Sequence, residues 1–131
     1  MTKTTTLFTP AEASRTLPLV RRIVEDILAT GQEMRSLAQE KEPTAEQVTT
    51  YEARAGSLRD LIAELEDLGC LYKDWNFSEG LVDFPAVIDG QQVLLCWRSD
   101  EPDIAFYHGY EDGFAGRKEI PAAHLVPSEV T

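Results

Sequence analysis

Cysteine, histidine and basic residues are all scarce in this chain, and each shortage removes a class of function. Two cysteines among 131 residues, Cys70 and Cys96, are too few for the disulfide frameworks of small secreted domains, and a reducing compartment keeps them as thiols. No C-x-x-C or H-x-x-H pair is present, so no local metal signature stands out. Lysine and arginine number 12 against 23 aspartates and glutamates, a formal net charge of −11. Such a chain repels phosphate backbones, which argues against binding nucleic acid or an anionic membrane. Acidity of this kind ordinarily coats helix faces and confers solubility; a cationic ligand or basic partner is the alternative. No run approaches the roughly 18 apolar residues of a membrane span. The segment Met1-Thr2-Lys3-Thr4-Thr5-Thr6 lacks the apolar core of a signal peptide, so a cytoplasmic location is expected. Internal repeats and low-complexity stretches are also missing.

What is present is enough apolar content, 43%, to fill one core, and the length suits a single domain over residues 1–131. Thr9-Pro10-Ala11-Glu12 reads as a helix start, with Thr9 as cap, Pro10 in the first helical position and Glu12 reaching back to the cap. Pro18 lacks an amide hydrogen, so this helix is expected to stop or bend near Thr16, and a longer one to run to about Glu40. Leu17, Val20, Val24, Ile27, Met34 and Ala38 form its apolar stripe, with Gly31 permitting close approach of a neighbour. A second start at Thr44, with Gln47 in the capping-box position, opens a helix that Gly69 closes. Val48, Tyr51, Ala55, Leu58, Ile62 and Leu65 repeat the three-four spacing. The short polar connection makes the two long helices antiparallel, with a structural seam between them.

Beyond Gly69 the pattern changes to β-branched and aromatic runs separated by turn signals. Strands are expected at Cys70–Trp75, Leu81–Ile88, Gln91–Arg98 and Ile104–Tyr110. Asp89-Gly90 suits the type I′ turn of a hairpin. The fold class is therefore α+β: a helical hairpin preceded by a short helix (9–69), packed on an antiparallel meander of three to four strands (70–117), with a loose tail (118–131).

The turn at Asp89-Gly90 pairs Ile88 with Gln91 and so sets Asp83 opposite Cys96. A turn centred on Pro102 sets Cys96 opposite His108. Asp83, Cys96 and His108 then form one row on three neighbouring strands, about 5 Å apart. Val82, Phe84, Ala86, Val93, Leu95, Trp97, Ala105 and Tyr107 occupy the other face and make the floor for the helices, which leaves the row on the exposed face with Arg98.

A carboxylate, a thiolate and an imidazole can hold zinc or iron, with Glu101 or Glu111 as a fourth ligand. The plainer alternative is that Cys96 packs as a small apolar group and Asp83 accepts a hydrogen bond from His108 or Arg98. A catalytic triad needs histidine between cysteine and carboxylate, whereas this row puts Cys96 in the middle. Gly113-Phe114-Ala115-Gly116-Arg117 can offer backbone amides and a guanidinium to an anion through Gly113, Gly116 and Arg117, or can be a glycine turn with a salt-bridged arginine. His124 shows no partner.

Gly80-Leu81-Val82-Asp83-Phe84-Pro85, Leu95-Cys96-Trp97, Glu101, His108 and Gly113-Phe114-Ala115-Gly116-Arg117 together resemble the motifs of the prokaryotic family known as domain of unknown function 2203. The resemblance extends from Phe8-Thr9 and Leu17-Pro18 through Arg117. It implies no activity, but it places Asp83, Cys96, Trp97, Glu101, His108 and Arg117 within the family's motifs. Tyr107 departs from it, standing where tryptophan is expected before the histidine.

Three functions stay open. The first is a small cytoplasmic binding protein, a homodimer, that holds a transition metal or an anion. The second is a ligand-free interaction module that dimerises through Leu81, Leu94 and Phe106. The third is a cysteine-dependent hydrolase or redox enzyme.

Overall fold

The computed structural model describes residues 7–125; Met1–Thr6, and residues 126–131 of the expected tail, lie outside the described residues. Helix α1 (Pro10–Ala38) begins as its sequence dictates: Glu12 N donates to Thr9 Oγ1 and Thr9 N donates to Glu12 Oε1. The expected break at Pro18 does not occur, and one 29-residue helix replaces the short and long pair. Ser14, whose carbonyl cannot accept from Pro18, is exposed and can bond water instead. Ala13 and Leu17, on the other side of the same turns, are buried in the core and hold the first turns in line.

Helix α2 (Ala45–Leu68) carries the same reciprocal cap at Thr44 and Gln47 and ends at Gly69, whose φ of 98° is the left-handed closure a side chain resists. The α1 stripe is buried from Leu17 through Gly31, then emerges at Met34 and Ala38. On α2 only Leu65 is fully enclosed, while Val48 and Tyr51 are exposed. The two helices pack on each other, and Ala13 to Ile27 of α1 with Leu58 to Leu68 of α2 join the core they share with the sheet.

The sheet is a five-stranded antiparallel meander in the order β1 (Leu71–Tyr72), β2 (Leu81–Ile88), β3 (Gln91–Arg98), β4 (Phe106–His108) and β5 (Lys118–Glu119). Asp89 and Gly90 both take positive φ, 53° and 80°, as a type I′ turn requires. The ladder runs unbroken from Ile88↔Gln91 to Leu81↔Arg98 and includes Asp83↔Cys96. Val82, Phe84, Ala86, Val93, Leu95 and Trp97 join Val20, Val24 and Ile27 of α1 in one core. Phe8 adds a parallel bridge at Ala86, its amide donating to the Pro85 carbonyl at 2.7 Å.

Four expectations change in the β half. The first strand is two residues long, because the Asp74 carboxylate accepts the amides of Asn76, Ser78 and Glu79 and turns the chain away. The fourth expected strand, Ile104–Tyr110, narrows to Phe106–His108. The tail is held at its start: Lys118–Glu119 pairs with β4, Ile120 is buried, and His124 Nε2 lies 3.2 Å from Asp89 Oδ1. Finally, β3 and β4 pair as Cys96↔Phe106 and Leu94↔His108, two residues from the expected register. The connection is not a tight turn on Pro102. It folds on itself, with Glu101 N donating to the Arg98 carbonyl and Trp97 Nε1 to the Glu101 carbonyl. A slip of two keeps His108 on its expected face.

Candidate metal centre

Asp83, Cys96 and His108 come from β2, β3 and β4 and lie on the sheet face away from the helices. That face was expected to be exposed, yet the three residues are only 3%, 2% and 5% accessible. The 109–117 segment helps to enclose them. Tyr110, Gly113 and Phe114 line a pocket of about 260 Å³ with Lys73, Leu81, Leu94 and the three residues themselves.

The register slip changes the chemistry of the row. His108 pairs with Leu94 rather than Cys96, so its imidazole reaches back over β3 and its Nε2 stands 3.3 Å from Asp83 Oδ1. Asp83 and His108 are thus in direct contact, the pairing named in the plainer alternative, although the expected register placed Cys96 between them. His108 Nδ1 lies 2.7 Å from the Gly109 carbonyl oxygen. A carbonyl only accepts, so this bond assigns the ring hydrogen to Nδ1 and, in neutral imidazole, leaves Nε2 as a bare lone pair. One ligand atom from each of the three residues falls within 4.8 Å of the others.

Burial dominates the electrostatics. It raises the Asp83 carboxyl above its ordinary range, although His108, Lys73 and Cys96 pull it down. Burial also pushes the Cys96 thiol up to about 12, helped by the Asp83 charge and opposed by Arg117, whose Nη1 is 3.9 Å from Sγ. Without a cation Cys96 stays a neutral thiol near neutral pH, and His108 addresses Asp83 rather than the sulfur. This arrangement does not favour a free thiolate nucleophile.

The remaining candidates are engaged elsewhere. Glu101 Oε1 accepts the Arg98 amide at 2.8 Å, and its Oε2 is ion-paired with Arg117 Nη2, so Glu101 does not join the cluster. The Arg117 guanidinium also lies over the rings of Phe106 and Phe114, at 4.0 and 4.5 Å from their centroids. With its charge answered by Glu101, Arg117 does not present a free fork to an anion. Gly113 supplies a φ of 67°, and Gly116 sits against Asp112, where an added Cβ would come within 2.7 Å of the Asp112 Cβ. Gly116 thus makes room for the loop's own acid, Asp112, which also accepts the Gly109 amide at 3.1 Å. Leu94 is buried and Phe106 lies beneath Arg117, so with Leu81 they do not form an open apolar patch.

Sequence reasoning missed the contact of Arg117 with Cys96 and the place of Lys73 and Tyr110 in the pocket wall. Lys73 follows an ordinary strand pattern and carried no local signal.

Hairpin, meander and buried Asp-Cys-His cluster define an α+β protein with a candidate metal centre on the outer face of its sheet. The chain belongs to the family described as uncharacterized conserved protein, domain of unknown function 2203, whose model matches residues 6–120. No curated protein and no solved structure matches it.

Proposed function

We propose that this protein binds a divalent transition metal, zinc or ferrous iron, through Asp83 Oδ1, Cys96 Sγ and His108 Nε2. The observation that carries the reading is the orientation of His108. Its Nδ1–H is held by the Gly109 carbonyl, the support that metal-binding histidines ordinarily receive, and its Nε2 lone pair faces a carboxylate inside the sheet. Such a pair needs a proton or a cation between its members. Two donors each about 2.0–2.1 Å from a tetrahedral ion stand roughly 3.4 Å apart, close to the 3.3 Å separation of Nε2 and Oδ1. The metal would supply the positive charge that lets Cys96 ionise, and Arg117 stands ready to donate to the thiolate. Three protein ligands leave a fourth position toward the pocket. Two buried free thiols agree with a reducing, cytoplasmic setting.

The test is total metal per chain by mass spectrometry, on untagged protein purified without chelators and again after reconstitution, beside a Cys96→Ser, His108→Ala variant. One equivalent in the wild type and loss in the variant is expected. No metal in either chain after reconstitution would leave Asp83 and His108 as a proton-sharing structural pair.

A further inference from the structure

Resting on the metal reading above, we infer that the open position of this centre takes a small carboxylate with an apolar body, its charge answered by Lys73. A divalent ion, the Cys96 thiolate and the Asp83 carboxylate sum to zero. Arg117 is already neutralised by Glu101. Lys73 is the one lysine or arginine among the pocket's lining residues, and it shares the sheet face of Asp83, since Leu71, two residues before it, pairs with Asp83. Counted over its lining residues alone, the metal-loaded pocket would carry one net positive charge, on a chain whose formal charge is −11.

Shape and polarity define the rest. The pocket's apolar walls are Leu81, Leu94 and Phe114, with Tyr110 beside them. A volume of about 260 Å³ lies at the small end for ligand sites and suits a molecule on the order of ten non-hydrogen atoms. A carboxylate satisfies both polar demands at once, with its oxygens on the metal and near the ammonium and its apolar body against the walls. A neutral amide of the same shape gives up the charge, and a cation is repelled by Lys73.

The experiment uses the full chain loaded with cobalt(II), whose visible bands report the ligands on the ion. Benzoate should change those bands saturably and benzamide should not. Lys73→Met should keep one cobalt per chain yet bind benzoate roughly three- to fivefold more weakly, the range of a single partly exposed charge pair. Cobalt retained with no saturable response to benzoate overturns this inference alone, as does an equal benzoate affinity in Lys73→Met. A chain that takes no cobalt overturns the metal reading and this inference together.

Discussion

His108 Nε2 stands 3.3 Å from Asp83 Oδ1 although a whole strand, β3, separates the strands that carry them. The contact is diagonal, made possible because His108 sits opposite Leu94 while Asp83 sits opposite Cys96. The two residues of stagger bring the imidazole onto the carboxylate and leave the sulfur beside Arg117. The chemistry open to this face follows from that displacement.

The ligand assignment separates Asp83 from Glu101. Asp83→Asn and Cys96→Ser should each weaken zinc binding by at least about a hundredfold, since each removes an ion-binding donor. Glu101→Gln should leave metal stoichiometry unchanged and instead destabilise the fold by about 1–3 kcal/mol, because it strands the mostly enclosed Arg117 charge. Competition with a chelating indicator and urea unfolding measure the two effects. Loss of metal in Glu101→Gln would make Glu101 a ligand after all.

Alkaline pH should destabilise the metal-free chain. Burial holds the thiols of Cys70 and Cys96 at about 12, against an ordinary 9.0. The folded state keeps these protons where the unfolded state gives them up. The thiols' contribution is therefore full below pH 9 and is lost as pH rises from 9 toward 12. At pH 10 the loss is about 1.4 kcal/mol per thiol. Burial also raises the Tyr72 hydroxyl, which adds to the loss at higher pH. Urea unfolding at pH 8 and pH 10 should show a drop that shrinks by roughly half in Cys70→Ala; an unchanged drop would contradict the assignment.

Gly31 and Phe77 should couple strongly. A Cβ on Gly31 would collide with the Phe77 ring, so Gly31→Ala should cost about 1–3 kcal/mol despite the better helix propensity of alanine. Phe77 is fixed at a φ of 56°, and its carbonyl accepts from Gln32 Nε2 at 3.0 Å, so the ring cannot retreat freely. In a Phe77→Ala background the clash is gone, and Gly31→Ala should stabilise by up to about 1 kcal/mol. A double-mutant cycle by thermal unfolding checks the change of sign.

Leu94→Asp should unfold the chain or cost more than about 3 kcal/mol, because Leu94 is 4% exposed and its replacement would bury a second carboxylate beside Asp83. Circular dichroism on heating decides this. A Leu94→Asp chain of wild-type stability that changed only its oligomeric state would instead show Leu94 to be a surface residue.

Local sequence determined a good deal. The capping boxes at Thr9 and Thr44, the left-handed stop at Gly69 and the Asp89-Gly90 turn are each decided by a few adjacent residues, so the helical hairpin and the β2–β3 register could be read directly. Alternation then assigned Asp83, Cys96 and His108 to one face, and a register slip of two leaves that assignment intact. Tertiary structure decided the rest. Whether Pro18 breaks a helix depends on whether Ala13 and Leu17 find a core and Ser14 finds water. The β3–β4 register depends on how residues 99–105 fold around the Trp97 indole, and on the pairing of Glu101 with Arg117, sixteen residues later on the returning loop. These are competitions between distant groups for the same partners, settled by burial rather than by sequence spacing. The Asp83–His108 contact belongs to the second kind: its face was legible in the sequence, its geometry only in the fold.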